Sequence, residues 1–131
     1  MARRSTSTLT EVELEFMHLL WAEHEVSPED IQNALLERGR TLTGGSIRKM
    51  LSILMRKGYV NRKKEGKKYL YTARVGQEQA KKSMIRELLN RAFGGSASLM
   101  FATLIEGRDV PEEDLKTIER LIAERKKEEV K

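Results

Sequence analysis

Residues 43–73 read TGGSIRKMLSILMRKGYVNRKKEGKKYLYTA, and a change of period inside this stretch decides the fold. A helix starts near Thr43. Ile47, Met50, Leu51 and Leu54 follow at i, i+3, i+4 and i+7, which puts four apolar side chains on one helical face. Gly45, Ser46, Arg48, Lys49, Ser52 and Arg56 lie away from that stripe. Gly58 stops the helix. Past it, Tyr59–Lys64 and Lys67–Ala73 are short runs containing Tyr, Val and Leu, joined at Glu65-Gly66. Glycine at the tip supplies a positive φ, so the runs form a hairpin. Its outer half is almost all Lys and Arg. Its inner half, Tyr59, Val60, Tyr69, Leu70 and Tyr71, can pack on helices.

Working outward toward the N-terminus, two more helices are expected. Ser27-Pro28-Glu29-Asp30 is a helix start, with a capping hydroxyl, a proline suited to the first turn and acids at the positive end of the helix dipole. Ile31, Ala34, Leu35 and Leu36 are read as its inward side, and Gly39 as its stop. Before it, Thr10-x-x-Glu13 is a capping box, and Leu9 can staple to Leu14. Val12, Phe16, Leu19 and Leu20 recur at helical spacing, with Trp21 as a further core residue. Met1–Thr8 is a polar tail whose Arg3 and Arg4 could touch phosphate. Three short helices, the third cationic on its free face, followed by a basic hairpin make a winged helix-turn-helix.

Toward the C-terminus the composition changes at Gly76. Gln77–Phe93 is helical, with Ala80, Met84, Ile85, Leu88, Leu89 and Ala92 in register. Gly94-Gly95-Ser96 breaks it. Leu99–Ile105, Leu104 included, is a short apolar helix stopped by Gly107. Asp109 is expected to cap a last helix with Pro111 near its first turn and the stripe Leu115, Ile118, Leu121 and Ile122. Residues 124–131 are charged and expected to fray. The architecture is therefore mostly α with a small β-hairpin wing: a winged-helix head over 1–75 and a helical region over 76–131. These apolar faces have no obvious partner for all of their area: they can fold back on the head or, the favoured reading, pack on the same segment of a second chain, with Leu88, Leu99, Leu104, Leu115, Ile118, Leu121 and Ile122 as the candidate dimerisation residues.

Charge and composition narrow the function. The chain has 131 residues, a net charge of +5 and 39% hydrophobic residues. From Arg38 to Arg74 Glu65 is the sole acid among twelve basic residues, a local net charge of +11, whereas residues 76–131 are neutral. Positive charge concentrated on one segment is the footprint of a polyanion partner. Arg48, Lys49, Ser46 and Ser52 are candidates for base edges in double-stranded DNA. Thr43 and Arg56 are candidates for phosphate, and Lys63, Lys64, Lys67 and Lys68 for the backbone or the minor groove. There is no cysteine, which excludes disulfides and thiolate metal sites. His18 and His24 are the only histidines and sit in no metal motif. No cofactor is implied, and neither a phosphate loop nor a catalytic constellation is found, so an enzyme is not expected. No apolar run approaches the roughly 18 residues needed to span a bilayer, and a cytoplasmic location is expected. The competing reading is a winged helix that binds protein rather than DNA.

The order of elements resembles the penicillinase-repressor family of winged-helix transcriptional regulators, the beta-lactamase and methicillin-resistance repressor type. The resemblance is carried by Leu9-Thr10-Glu11-x-Glu13 with Trp21, by Ile47–Gly58 ending in Leu54-Met55-Arg56-Lys57-Gly58-Tyr59-Val60, by Gly66-x-x-Tyr69-x-Tyr71, and by Leu88–Ser96. It implies a homodimer on a palindromic operator that silences transcription. Where the family commonly has Tyr-Thr-Thr-Val, this chain has Gly44-Gly45-Ser46-Ile47, so the operator sequence does not carry over. A sensor protease is a partner by resemblance alone: family members are cut at an Asn-Phe bond, and the nearest match here is Thr103-Leu104. The cysteine motifs of the copper-responsive relatives are absent.

Overall fold

A computed structural model describes residues 9–130 of the chain. Arg3 and Arg4, and the tail that carries them, lie outside the described residues. The elements run α1 (Glu11–Ala22), α2 (Pro28–Glu37), α3 (Gly44–Lys57), β1 (Val60–Glu65), β2 (Lys68–Ala73), α4 (Gln77–Phe93), α5 (Ala97–Glu106) and α6 (Glu112–Val130).

Local chemistry sets the starts of the first three helices. Thr10 Oγ1 accepts from the Glu13 amide at 3.2 Å while Glu13 Oε1 accepts from the Thr10 amide at 2.8 Å. Ser27 and Asp30 repeat the same reciprocal pair at α2, at 3.1 and 2.9 Å. Each cap satisfies amides that have no partner inside the helix and contributes about 0.5–2 kcal/mol. Thr43 caps α3 by accepting from the Ser46 amide at 3.1 Å. Gly58 closes α3 in the left-handed region at φ 88°, where a Cβ would be strained, and so turns the chain into β1.

The hairpin is antiparallel, with Val60 opposite Ala73, Arg62 opposite Tyr71, Lys64 opposite Tyr69 and Glu65 opposite Lys68. The connection is thus Gly66-Lys67, with Gly66 at φ 65° in the first central position, as a tight two-residue hairpin turn requires. Val26, between α1 and α2, forms an isolated antiparallel bridge to Tyr71. Its amide donates to Tyr71 O at 3.0 Å, and the Tyr71 amide donates to Val26 O at 2.8 Å. The root of the wing is therefore tied to the helices, and its tip is free.

Two units make up the chain, Met1–Glu87 and Leu88–Lys131. In the first, Phe16, Met17, Ile31, Leu35, Ile47, Leu51, Leu54 and Tyr59 are almost fully buried. Val60 and Tyr71 close this core from the hairpin. Trp21 packs at its edge, its Nε1–H donating to Val75 O at 2.9 Å. The division falls inside α4 because Ala80 is buried and Met84 packs against the same core. The second unit buries no residue of α5, and Leu88, Leu99, Leu104, Leu121 and Ile122 are exposed, while Leu115 and Ile118 are half-buried.

Four expectations are corrected. Leu36 is 57% exposed, because Ile31 and Leu35 already fill the inward side of a ten-residue helix. Tyr69 does not pack on the helices; it is exposed near the tip of the wing, beyond the reach of the core. Asp109 does not cap α6. That helix begins at Glu112, and the amides of Asp114 and Leu115 donate to Pro111 O. The C-terminal segment does not fray but continues α6 to Val130, with Arg125 and Glu129 paired one turn apart at 3.1 Å.

Candidate nucleic-acid interface

The free face of α3 follows from its buried one. With Ile47, Leu51 and Leu54 turned into the core, Gly45, Arg48, Lys49, Ser52 and Arg56 are left in solvent. The hairpin leaves its root beside α3 and runs outward, so the two elements flank a cleft of about 490 Å³. Its walls are Pro28 and Glu29 from α2, Arg48 and Ser52 from α3, and Arg62, Lys67, Lys68, Tyr69 and Tyr71 from the wing. Four cations and one carboxylate make this a strongly positive concavity suited to phosphate.

The structure sorts the sequence candidates into groups. Arg48 and Ser52 line the cleft with Lys67 and Lys68. Lys49 and Arg56 are exposed on α3 outside its lining. Thr43 and Ser46 face each other, the Thr43 hydroxyl donating to Ser46 Oγ at 3.0 Å, so both are engaged in starting α3. Lys64 stands opposite Tyr69 on the wing. Lys63 is on the other face of the strand, 2.8 Å from Glu25 Oε2 and 3.8 Å from Glu65 Oε2. The hydrogen bond to Glu25 holds its ammonium above the ordinary lysine range. Lys63 thus braces the wing against the α1–α2 loop.

Five cleft residues, Pro28, Glu29, Arg62, Tyr69 and Tyr71, were not among the candidates. Arg62 lies 4.2 Å over the Tyr69 ring, a cation–π stack that stiffens the outer wing. Its hydrogen bond with the Tyr71 side chain raises its pKa above the ordinary arginine value. A signal for this pair exists in the sequence. Once Gly66-Lys67 is taken as the turn, Arg62 and Tyr69 fall on one face of the hairpin, diagonal to each other. Glu29 had no such signal, and its position against Arg48 depends on how α2 crosses α3.

Behind the cleft the head is held by ion pairs of unequal depth. Lys57 Nζ lies 2.8 Å from Glu13 Oε1, and the Glu13 side chain is only 5% exposed. Burial pushes the Glu13 carboxyl up, but the bonds from Lys57 and from the Thr10 amide more than offset this and hold it below its ordinary value. Arg40 pairs with Glu15 at 2.8 Å, tying the loop after α2 to α1. Among the described residues no helix is long and apolar enough to cross a membrane.

The arrangement has counterparts. The model of the penicillinase repressor family matches residues 9–124, from the start of α1 into α6. This chain belongs to that family. The penicillinase repressor of Bacillus licheniformis is 24% identical over 118 residues, 90% of this chain and 91% of that protein. The methicillin resistance regulatory protein MecI of Staphylococcus aureus is 20% identical over 117 residues, 89% of this chain and 94% of that one. The solution structure of the DNA-binding domain of the repressor BlaI matches with a TM-score of 0.51 at 24% identity, covering 60% of this chain and 93% of that one. That likeness places the head among winged helices. Membership places the chain among winged-helix transcriptional repressors.

Proposed function

We propose that this chain is a dimeric repressor that occupies a palindromic DNA operator, with α3 in the major groove and the wing on the flanking backbone. The observation that carries this reading is the single positive cleft that Arg48 and Ser52 of α3 form with Arg62, Lys67 and Lys68 of the wing. A helix fits the major groove, about 12 Å wide, and Arg48 and Lys49 are long enough to reach guanine acceptors there. Arg56, Lys64, Lys67 and Lys68 would take phosphates, and Arg62, stiffened by Tyr69, would do so at low entropic cost. Thr43 and Ser46 would add contacts at the start of α3.

Dimerisation rests on the second unit. Leu88, Leu99, Phe101, Leu104, Ile105, Leu121 and Ile122 are exposed there. With Leu115 and Ile118 they make a surface that a second copy would cover, presenting two α3 helices to half-sites about 34–36 Å apart. Repression follows if the operator overlaps a promoter, and the chain would act in the cytoplasm. A sensor protease that relieves repression would have to cut at a bond other than Asn-Phe.

Duplex binding measured between about 50 and 200 mM salt tests the reading. Neutralising roughly 6–10 phosphates predicts a loss of about 10³–10⁵ in affinity over that range. Binding that ignores salt, or no binding to any duplex, overturns it.

A further inference from the structure

The cleft beside α3 holds one acid among its cations, and that acid is paired with Arg48, one of the α3 candidates for a base edge. Arg48 Nη2 donates to Glu29 Oε2 at 3.3 Å. The two side chains are 59% and 60% exposed, so the pair contributes little to folding. A carboxylate in a phosphate-binding cleft also opposes the polyanion. The helix dipole favours an acid in the first turn of α2, but neither that nor general affinity asks for one that faces the cleft.

The relation of Glu29 to Arg48 does. Gly44, at the start of α3, leaves room for the guanidinium: a Cβ there would stand 3.0 Å from Arg48 Nη1. Arg48 is thus folded back over the first turn of α3 and held from the α2 side by Glu29. The guanidinium has five donors, and this contact uses one of them. The rest stay available to a base edge, while the charge is already partly satisfied by the carboxylate.

Resting on the repressor reading above, we propose that Glu29 is a positioning residue that keeps Arg48 from taking phosphate and reserves it for a matching guanine. On DNA without that base, Arg48 stays with Glu29 and adds no backbone contact. On DNA with it, bidentate bonding to O6 and N7 engages Arg48. The pair holds down binding to random sequence and so widens the ratio of specific to random affinity.

Two probes test this: a duplex selected by the wild-type chain from a random pool, and a random-sequence duplex of equal length. Glu29→Gln keeps the shape and an acceptor oxygen but removes the charge. Freeing Arg48 for one more phosphate raises random-duplex affinity by up to about eightfold at roughly 0.1 M salt and steepens the salt slope by about 0.9. Affinity for the selected duplex changes by less than about twofold, since Arg48 is already committed to its base there. The ratio therefore falls. In an Arg48→Ala background, Glu29→Gln leaves the ratio where it is. Equal gains on both duplexes overturn the proposal, because Glu29 would then be only a negative charge near DNA. A shift in ratio that survives Arg48→Ala overturns it as well. A wild-type chain that enriches no duplex defeats the repressor reading and this role together. A wild-type chain that discriminates, with an unchanged ratio in Glu29→Gln, defeats this role alone.

Discussion

Phe16, Ile31, Leu35, Ile47, Leu51 and Leu54 of the first unit are at most 1% exposed, whereas Leu99, Phe101, Leu104, Ile105, Leu121 and Ile122 of the second are 42–55% exposed. Both units are built from amphipathic helices, so the difference lies in what the helices meet. In the head, three helices converge and the root of a hairpin closes the remaining side with Val60 and Tyr71. In the second unit, among the described residues, none of α5 is buried. Amphipathicity states that a face must be covered and leaves open by what. The contrast supports the proposed division of labour, in which the head folds on its own residues and the C-terminal helices would turn theirs to a second copy.

The double change Leu121→Asp with Ile122→Asp is the largest test of that contrast. Each side chain buried between copies is worth about 1.5–3 kcal/mol, so losing both removes roughly 3–6 kcal/mol of association for each copy. Sedimentation should show the mass falling from dimer to monomer while the head's unfolding curve stays put. A retained dimer mass would move the interface elsewhere. Phe16→Ala probes the other side of the comparison. Truncating an aromatic with no exposure should cost the head about 3–5 kcal/mol, read as a lower urea midpoint with little change in slope.

A smaller effect separates the buried charge of the head from its apolar core. Glu13 is held below its ordinary value of 4.5. A carboxyl with a depressed folded-state pKa stabilises fully above its unfolded value and loses that contribution as pH falls through the folded one. Glu13→Gln should therefore cost about 1–3 kcal/mol at pH 7, and the difference from wild type should shrink in acid below about pH 4. A difference independent of pH would remove the Lys57 pair from the account. Smallest is Gly58→Ala, which forces a Cβ into the left-handed region and should cost about 1–2 kcal/mol in the same urea experiment.

Much of the fold was legible because its determinants are local. Thr10-x-x-Glu13 and Ser27-Pro28-Glu29-Asp30 work over three residues, and the reciprocal bonds they imply are present. The period shift at Gly58 separates α3 from the hairpin because glycine takes φ 88° without the strain a Cβ brings. The cationic face of α3 was legible for the same reason, as the complement of a stripe. Distant pairings were not. Lys63 reads as one lysine among several, yet Glu25, 38 positions away, engages it. Asp109 reads as a cap, but the first amides of α6 use Pro111 O. Leu36 has the residue type of the core and the wrong angle around α2.

By itself the sequence determined which segments become helix or strand, which face of each is apolar, and that positive charge gathers on residues 38–74, because periodicity, caps and charge act between near neighbours. Only the tertiary structure decided that Arg48 meets Glu29, that Lys63 meets Glu25, and that the head closes while the C-terminal unit stays open. Those outcomes depend on how separate elements cross, and crossing is settled by packing among residues far apart in the chain.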